Sequence, residues 1–287
     1  MLVISGGTRC CGIIGDPIEH TMSPAMHNAA FRASGLDYVY IPFWVQGSEL
    51  GKAIEGMRAL NIRGLNVTIP HKVAVMSFLD KLDGLARKIG AVNTIVNDNG
   101  FLTGYNTDAT GFLQTLRESG IEPEGKRVVI LGAGGAALAI SFVLAEKGAN
   151  LVILNRTMDK ARQCAAMISK SSQTEVTPLP LDGDSLAAAL EEADILVNTT
   201  SVGMSPDADE TLVSARLIKP GLVVVDIVYS PIKTRLLREA EEAGARTISG
   251  LDMLLWQGAL AFELWVGLKA PVELMRAEII KGLTRGK

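Results

Sequence analysis

The sequence predicts an α/β protein with two domains, and three observations support this prediction. With 287 residues, 48% of them hydrophobic and 21% charged, the chain is long enough to fold around two hydrophobic cores. Strand-like and helical stretches are mixed irregularly in the first third and alternate regularly from residue 109, and two helical stretches end the chain. We therefore expect one domain from residues 1–108 plus about 253–287, and a second from residues 109–252.

The elements of the first domain follow from its apolar runs and turn residues. Cys11–Gly15 is an apolar run that leads into a Gly-Asp-Pro turn, which predicts a strand. Ser23 before Pro24 is typical of a helix N-cap followed by the first helical position, and Gly35 ends that helix. The remaining elements are strands at Tyr38–Val45 and Leu65–Ile69, a helix at Glu49–Leu60, and a hairpin around the turn Asn97–Gly100.

Six short apolar runs predict the strands of the second domain, and helical stretches such as Asp184–Glu192 and Lys233–Ala243 separate most of them. Such alternation implies right-handed βαβ units and a parallel sheet covered by helices on both faces. The last stretches, Leu251–Gly267 and Pro271–Leu283, predict two helices that we expect to pack on the first domain. The six runs are Arg127–Leu131, Asn150–Leu154, Glu175–Pro178, Asp194–Asn198, Leu222–Ile227 and Arg246–Ile248.

A glycine-rich loop joins the first of these strands to a helix rich in alanine. Gly132 permits the tight turn, Gly134 lets the backbone approach a pyrophosphate, and Ala137 keeps the helix close to the strand. The free N–H groups and positive partial charge of the helix N-terminus attract phosphate. The pattern predicts a Rossmann-type, six-stranded parallel sheet that binds a dinucleotide. The loop residues expected to contact it are Gly132, Ala133, Gly134, Gly135 and Ala136.

The end of the next strand indicates which dinucleotide is bound. An NAD-binding domain usually has an acidic residue there to bond the ribose 2′-hydroxyl. This chain has Asn155, Arg156 and Thr157 instead, with Lys160 one turn later. A carboxylate would repel a 2′-phosphate, whereas Arg156 can pair with it through two hydrogen bonds and stack on the adenine. NADP(H) is therefore the expected cofactor, and a solvated basic helix start is the alternative.

Composition excludes several other classes of partner. The formal charge is −3 with no block of like charge, which argues against nucleic acid and anionic membranes. The uncharged stretch Val128–Ala145 is long enough to span a bilayer, but its glycines favour a strand, a turn and a buried helix. Cys10, Cys11 and Cys164 form neither a metal-ligand set nor a disulfide framework, and no signal peptide is visible. We expect a cytoplasmic monomer or homodimer that holds no metal and acts on a small molecule.

Four short polar stretches in the first domain supply the chemistry. They are His20–Pro24, Leu65–Lys72, Ala91–Thr94 and Asn106–Asp108. Each places hydrogen-bonding side chains at a strand end or a helix start, where several loops can meet at one site. Ordinary capping or turn chemistry explains Ser23, Asn93 and Thr107 when each is considered alone. Four such stretches before one nucleotide-binding domain favour a substrate site.

These stretches resemble the shikimate dehydrogenase family, and the resemblance extends nearly from end to end of the chain. Several motifs in the family's order are more specific than the glycine loop alone. The matching motifs are Gly15–Ile18 with Thr21–Pro24, Asn66–Lys72, Gly90–Thr94, Asn106–Asp108, Gly132–Ala137, Asn155–Thr157, Asn198–Ser201, and the surroundings of Tyr229 and Gln257.

The resemblance implies reversible, NADPH-dependent reduction of 3-dehydroshikimate to shikimate, a step of aromatic amino-acid biosynthesis. Lys72 and Asp108 would form the catalytic pair, with hydride delivered to the C3 ketone and the proton donated by the Lys72 ammonium. Thr21 and Ser23 would hold the substrate carboxylate. The other implied substrate contacts are Asn66, Thr68, Asn93, Tyr229 and Gln257, and the other implied cofactor contacts are Thr199, Thr200, Ile227 and Gly250.

Three alternatives remain open at this point. His71 is a rival proton carrier, although its position beside Lys72 would direct the two side chains apart. Thr21 stands where the family more often has serine, and its extra methyl group crowds the carboxylate pocket. A broader quinate/shikimate dehydrogenase is therefore a second interpretation. The third is an NADP-binding sensor without catalysis, against which the presence of both Lys72 and Asp108 counts.

Overall fold

The computed structural model describes residues 4–19, 21–172 and 174–285. His20, the first residue of one polar stretch, lies outside these ranges. The chain divides into two compact units, the first comprising Met1–Thr107 with Leu255–Lys287 and the second comprising Asp108–Leu254. Each unit contains a six-stranded sheet.

The first unit has a mixed sheet with the strand order β2-β1-β3-β5-β6-β4. Strand β1 runs parallel to its two neighbours β2 and β3, whereas β5 runs antiparallel to β3 and to β6. The elements are β1 (Arg9–Gly15), α1 (Ser23–Ala33), β2 (Tyr38–Trp44), α2 (Leu50–Ala59), β3 (Gly64–Val67), β4 (Lys81–Leu82), α3 (Gly84–Ile89), β5 (Thr94–Asp98) and β6 (Phe101–Tyr105).

This topology brings four strand ends to one edge of the sheet. The carboxyl ends of β1 and β3 lie side by side because the two strands are parallel. The amino end of β5 and the carboxyl end of β6 join them, since Asn66 pairs with Thr94 and Thr94 pairs with Tyr105. The four polar stretches of the sequence therefore adjoin the same edge.

The start of α1 differs by one residue from the prediction. Ser23 is the first helical residue and Met22 is the N-cap, whereas the sequence placed the N-cap at Ser23. The hydroxyl that accepts a hydrogen bond from the Ser23 amide belongs to Thr21. The local capping chemistry was thus assigned to the wrong hydroxyl, because threonine two residues earlier supplies the acceptor.

The second unit has a fully parallel sheet in the order β12-β11-β10-β7-β8-β9. The order reverses between β7 and β10, as in the doubly wound dinucleotide fold, and the prediction of this fold is confirmed. The elements are α4 (Thr107–Glu118), β7 (Arg127–Leu131), α5 (Gly135–Glu146), β8 (Asn150–Asn155), α6 (Met158–Ser172), β9 (Val176–Pro180), α7 (Gly183–Glu191), β10 (Ile195–Asn198), β11 (Val223–Asp226), α8 (Arg235–Glu242) and β12 (Arg246–Ile248).

The uncharged stretch Val128–Ala145 contains most of β7, the glycine loop and most of α5, in agreement with the prediction. Residues 137–145 of α5 are all buried, which explains why this helix is apolar around its whole circumference. Of the helices in the described ranges, none combines the length and the hydropathy that a bilayer crossing requires.

Two helices end the chain, α9 (Gly250–Val266) and α10 (Val272–Arg285), and their glycines and aromatic side chains pack on the first unit. A Cβ at Gly64 of β3 would lie 2.2 Å from Trp265 Cδ1, so the indole packs against the strand backbone. The Trp265 indole also donates a hydrogen bond to the Ile95 carbonyl over 3.0 Å. In the same way Gly282 makes room for the end of the Met22 side chain. The expectation that the last helices return to the first domain is confirmed for residues 255–285.

Candidate active site

Asn66 lies at the centre of a buried hydrogen-bond network at the shared edge of the first sheet. Its Oδ1 accepts a hydrogen bond from the Tyr40 hydroxyl over 2.6 Å, and its Nδ2 donates to Thr94 Oγ1 over 3.1 Å. Asn66, Tyr40 and Thr94 are all buried. The Asn93 carbonyl lies 3.3 Å from Asn66 Nδ2 and can only accept, so it determines which end of the Asn66 amide is nitrogen, and the Tyr40 hydroxyl donates to the other end.

Asn93 connects this network to the start of α4. Its Oδ1 accepts a hydrogen bond from the Thr107 backbone amide over 2.7 Å, and its Nδ2 donates to Thr107 Oγ1 over 2.9 Å. Thr107 and Thr94 are also in contact through their hydroxyls, 3.1 Å apart. Asn93, the residue before β5, therefore caps α4 and fixes the backbone immediately before Asp108, which is itself buried. Asn93 can therefore cap α4, as its bonds to Thr107 show, and still belong to a substrate site.

Lys72 lies in the segment that connects β3 to the next elements of the sheet. Its carbonyl accepts a hydrogen bond from the Val92 amide over 2.8 Å, which ties this segment to the residue before Asn93. Thr68 follows β3 directly, and a Cβ at Gly15 would lie 2.5 Å from Thr68 Cγ2. Gly15 therefore allows the threonine side chain to pack at the carboxyl end of β1.

His71 is buried, and its role is structural in the geometry observed. Its Nε2 lies 2.7 Å from the Val45 carbonyl oxygen. Because a carbonyl oxygen only accepts, Nε2 carries the proton and donates it to this bond. The burial of His71 and its bond to Val45 both count against its use as the proton carrier.

The N-terminus of α1 is suited to bind an anion. Thr21 Oγ1 accepts from the Ser23 amide over 3.3 Å, and Ser23 is buried at the first helical position. The first turn contains no acidic residue. The positive end of an 11-residue helix with two adjacent hydroxyls favours a carboxylate ligand.

Gln257 and Tyr229 are half-buried and belong to different units. Gln257 lies on α9 in the first unit, and the next residue, Gly258, packs on the side chain of Met26 in α1. Tyr229 lies in the second unit, three residues after the end of β11. Of the residues predicted to contact substrate, Asn66 and Asn93 are the two that the hydrogen-bond network of the first sheet brings together.

The glycine loop of the second unit has the geometry of a phosphate site. Gly132 has φ = +108°, which is a conformation that favours glycine. A Cβ there would lie 2.7 Å from Thr199 Oγ1, so the loop rests on the turn after β10. Gly134 is the N-cap of α5, and without a side chain it leaves the first helical amides open to a phosphate.

The residues after β8 form an exposed basic helix start. Arg156, Thr157 and Lys160 are exposed, while Asn155 Nδ2 donates to the Thr157 carbonyl over 2.9 Å and closes the turn. Within the described part of the chain neither Arg156 nor Lys160 forms an ion pair, because the nearby Asp159 pairs with Arg162. The turn therefore presents uncompensated positive charge at the end of β8.

Three family models match the chain. Residues 13–95 match the shikimate dehydrogenase substrate binding domain, residues 116–235 match shikimate / quinate 5-dehydrogenase, and residues 250–280 match the shikimate 5'-dehydrogenase C-terminal domain. A shikimate dehydrogenase (NADP(+)) of Methanopyrus kandleri is 50% identical over 283 residues, which cover 98% of both chains. The chain belongs to the shikimate dehydrogenase family. Solved structures of shikimate dehydrogenases agree with this result.

Structures with bound ligands are among these matches. A shikimate dehydrogenase in complex with NADP+ has a TM-score of 0.92 and 44% identity, and the match covers 98% of both chains. The shikimate 5-dehydrogenase of Thermus thermophilus in complex with NADP(H) and shikimate has a TM-score of 0.85 and 37% identity. That match covers 96% of this chain and 100% of the other. The recognition of the family from its motifs is confirmed.

Sequence reasoning missed two buried polar residues that support these shikimate dehydrogenase motifs. Tyr40 bonds Asn66 from an otherwise apolar strand, and Asp226 ends the apolar strand β11. The one available signal for Asp226 was a carboxylate at the end of an apolar run, which is costly to bury without partners. Tyr40 gave no such signal, because tyrosine is common in strands.

Proposed function

We propose that the protein catalyses the reversible, NADPH-dependent reduction of 3-dehydroshikimate to shikimate. The observation that carries this proposal is the pair of hydrogen bonds between Asn93 and Thr107, which fixes the start of α4 next to Asp108. The same edge of the sheet holds the segment of Lys72 through the bond between the Val92 amide and the Lys72 carbonyl. Acidic and basic groups on such a rigid frame are suited to move a proton at a carbonyl oxygen.

Most of the residues proposed to bind and protonate the substrate belong to the first unit, and Asp108 and Tyr229 belong to the second. Thr21 and Ser23 would bind the carboxylate at the start of α1, while Asn66 and Asn93 would contact or frame the ring hydroxyls. Thr68, Tyr229 and Gln257 complete the proposed substrate contacts. In the reducing direction the Lys72 ammonium donates its proton to the oxygen on C3, and Asp108 orients the ammonium and accepts a hydrogen bond. In the oxidising direction the same proton returns to Lys72.

The second unit fits NADP(H) on structural grounds. When bound, NADPH supplies the hydride that reduces C3. The backbone amides of Gly132–Ala136 would hold the pyrophosphate at the N-terminus of α5, since this helix start has no side chain in the way. Arg156, with Asn155, Thr157 and Lys160 around it, would hold the 2′-phosphate. Thr199, Thr200, Ile227 and Gly250 would line the remainder of the cofactor site.

The state and compartment of the protein also belong to the proposal. Cys10, Cys11 and Cys164 are free thiols, and burial raises the pKa of both Cys11 and Cys164. Buried unpaired thiols suit a reducing compartment. We propose that the protein works in the cytoplasm as a monomer or a homodimer, which sedimentation of the purified protein would distinguish.

The test of the proposed function is the initial rate of nicotinamide reduction with shikimate or quinate, each combined with NADP or NAD. Activity restricted to shikimate with NADP supports the proposal and shows that Thr21 is compatible with this substrate. Comparable rates with quinate or NAD would replace it with the broader dehydrogenase. Binding of NADP without activity in any of the four combinations would favour the sensor.

A further inference from the structure

One buried carboxylate ties together the carboxyl ends of β10 and β11. Asp226 is 0% exposed and accepts three hydrogen bonds. Its Oδ1 accepts from Asn198 Nδ2 over 3.0 Å and from the Val228 amide over 3.1 Å, while its Oδ2 accepts from Thr234 Oγ1 over 2.7 Å. These bonds join the ends of two strands to the start of α8, because Thr234 is the N-cap of that helix.

The position is costly for an acidic residue. Burial raises the pKa of Asp226 to about 6, while the hydrogen bonds from Thr234, Val228 and Asn198 act in the opposite direction. Within the described residues no lysine, arginine or histidine forms an ion pair with it. Hydrogen bonds alone hold this carboxylate in the interior. An apolar side chain at the same position would avoid the free-energy cost of burying a charge. A role in arranging the surrounding backbone would account for its presence.

Asn198 transmits the position of Asp226 to the turn after β10. While its Nδ2 donates to Asp226, its Oδ1 accepts from the Thr200 amide over 3.1 Å and from Thr200 Oγ1 over 2.7 Å. An ionised carboxylate only accepts hydrogen bonds, so the atom of Asn198 that faces Asp226 is the amide nitrogen. This determines the orientation of the Asn198 amide. Thr200 is thus held by two bonds to a side chain that Asp226 fixes.

The glycine loop rests on this turn. A Cβ at Gly132 would lie 2.7 Å from Thr199 Oγ1 and 3.1 Å from Thr200 Cγ2. Thr199 Oγ1 also donates to the carbonyl of Leu131, the last residue of β7, over 2.6 Å. Displacement of the turn would therefore change the space available to the loop.

The backbone after β11 is held from two sides. On one side Asp226 bonds the Val228 amide. On the other side Gly250 packs so closely that a Cβ there would lie 2.2 Å from the Ile227 carbonyl oxygen. Residue 227 is thus confined between a buried carboxylate and a glycine.

We infer that Asp226 is a positioning residue that holds the Thr199–Thr200 turn and Ile227 in place for the nicotinamide half of the cofactor. The inference rests on the proposed function, which assigns these residues to the cofactor. The sheet order supports the choice of half. The basic turn after β8 lies on one side of β7, and β10 and β11 lie on the other, so the adenosine and nicotinamide ends of a dinucleotide would extend in opposite directions.

The experiment compares two substitutions at Asp226 with one at Asp194. D226L keeps a side chain that branches at Cγ but leaves the donors of Asn198, Val228 and Thr234 without this acceptor. D226N keeps one oxygen for Asn198 and Val228 and places its amide nitrogen against the Thr234 hydroxyl, which can accept. D194N is the matched control, because Asp194 lies before the opposite end of β10 and accepts from the Arg127 amide over 2.9 Å.

For D226L we expect the Kd for NADP, measured by titration calorimetry, to rise by about tenfold or more, since three buried donors lose their acceptor. The KM for shikimate should change by less than about threefold, because the proposed carboxylate contacts lie in the first unit. D226N and D194N should bind NADP within about threefold of the unchanged protein, since the conservative variant retains most of the bonds. A D226L protein that melts at a lower temperature yet binds NADP with unchanged Kd would overturn the inference and leave Asp226 a purely structural role.

If D226L does not fold, N198A tests the same connection, because it releases Thr200 while Asp226 keeps Thr234 and Val228. A rise in its NADP Kd supports the inference, and an unchanged Kd contradicts it. Calorimetric binding separates this result from the fate of the proposed function. A chain that binds NADP but does not oxidise shikimate refutes the proposed reaction and still allows the role of Asp226 to be measured.

Discussion

Asn93 and Thr107 form a reciprocal hydrogen-bonded pair between the amino end of β5 and the first residue of α4. The amide nitrogen of Asn93 donates to the Thr107 hydroxyl, and its oxygen accepts from the Thr107 backbone amide. The residue before β5 therefore performs the capping that a helix usually obtains from its own N-cap. The pair holds the backbone of Thr107, the residue before Asp108, against the sheet that carries Asn66.

The first prediction concerns this pair. T107V removes the acceptor of Asn93 Nδ2 and leaves a buried donor unpaired, which costs about 1–3 kcal/mol. We expect kcat for shikimate oxidation to fall by about tenfold, because Asp108 loses its fixed position. T107S keeps the hydroxyl and should retain kcat within about twofold. Equal kcat values for T107V and T107S would show that the pair does not position Asp108.

The second prediction concerns the proposed proton donor. K72A should lower kcat by about a hundredfold to ten-thousandfold, the usual contribution of general acid–base catalysis, with little change in the Kd for NADP. K52A is the control, because Lys52 is an exposed residue of α2 that pairs with Glu49 over 3.0 Å. Steady-state rates and NADP titrations would be compared for both variants. Normal turnover in K72A would remove Lys72 from the proposed mechanism.

The third prediction concerns cofactor choice. R156A should weaken NADP binding by about 10–100-fold, the range expected for lost hydrogen bonds to a charged group, and should weaken NAD binding much less. K170A is the control. It removes an exposed charge in the last turn of α6, the helix that follows Arg156, and should change neither affinity. Titration of each variant with both dinucleotides gives the four values. Equal losses for NADP and NAD in R156A would refute a contact with the 2′-phosphate.

The fourth prediction concerns His27, which is fully buried and stacks on Tyr40 with ring centroids 4.4 Å apart. Burial lowers the pKa of His27 from 6.5 to about 3. The unfolded chain binds the His27 proton more tightly than the folded chain does. The neutral ring therefore makes its full contribution to the free energy of unfolding above about pH 6.5. That contribution is lost as the pH falls from about 6.5 towards 3, by about 1.4 kcal/mol per pH unit.

H27L removes this titration. The difference in unfolding free energy between H27L and the unchanged protein should shift in favour of H27L by about 2 kcal/mol between about pH 7.5 and pH 5. Urea unfolding at the two pH values measures it. Asp226 acts in the opposite sense between about pH 6 and 3.8, since its pKa is raised on folding, but it is present in both proteins. If the difference in unfolding free energy between the two proteins did not change with pH, the lowered pKa of His27 would be contradicted.

The strands and helices of the second unit were predictable because each carries its own local pattern. Arg127–Leu131 and Arg246–Ile248 have the bounds predicted for them, and the other four strands of this sheet differ by one or two residues at one or both ends. Apolar runs of fixed length separated by amphipathic helices leave few arrangements for a chain. In the first unit the short strand Lys81–Leu82 was missed, because two residues give no periodicity.

The hydrogen-bond networks were not predictable in the same way. Nothing near Asn93 in the sequence shows that its amide caps a helix 14 residues later, and nothing near Asn66 points to Tyr40, 26 residues earlier. Such bonds join residues that a sheet register brings together, and the register depends on the packing of both faces at once.

The sequence by itself determined the fold class, the family, and the residue types available for binding a dinucleotide and moving a proton, because each of these depends on local patterns and ordered motifs. Only the tertiary structure decided that His71 is an interior residue bonded to Val45, that Asn93 fixes the start of α4, and that Asp226 joins two strand ends. Burial and hydrogen-bond partners arise when distant segments meet, and the free energy of a polar side chain depends on those partners.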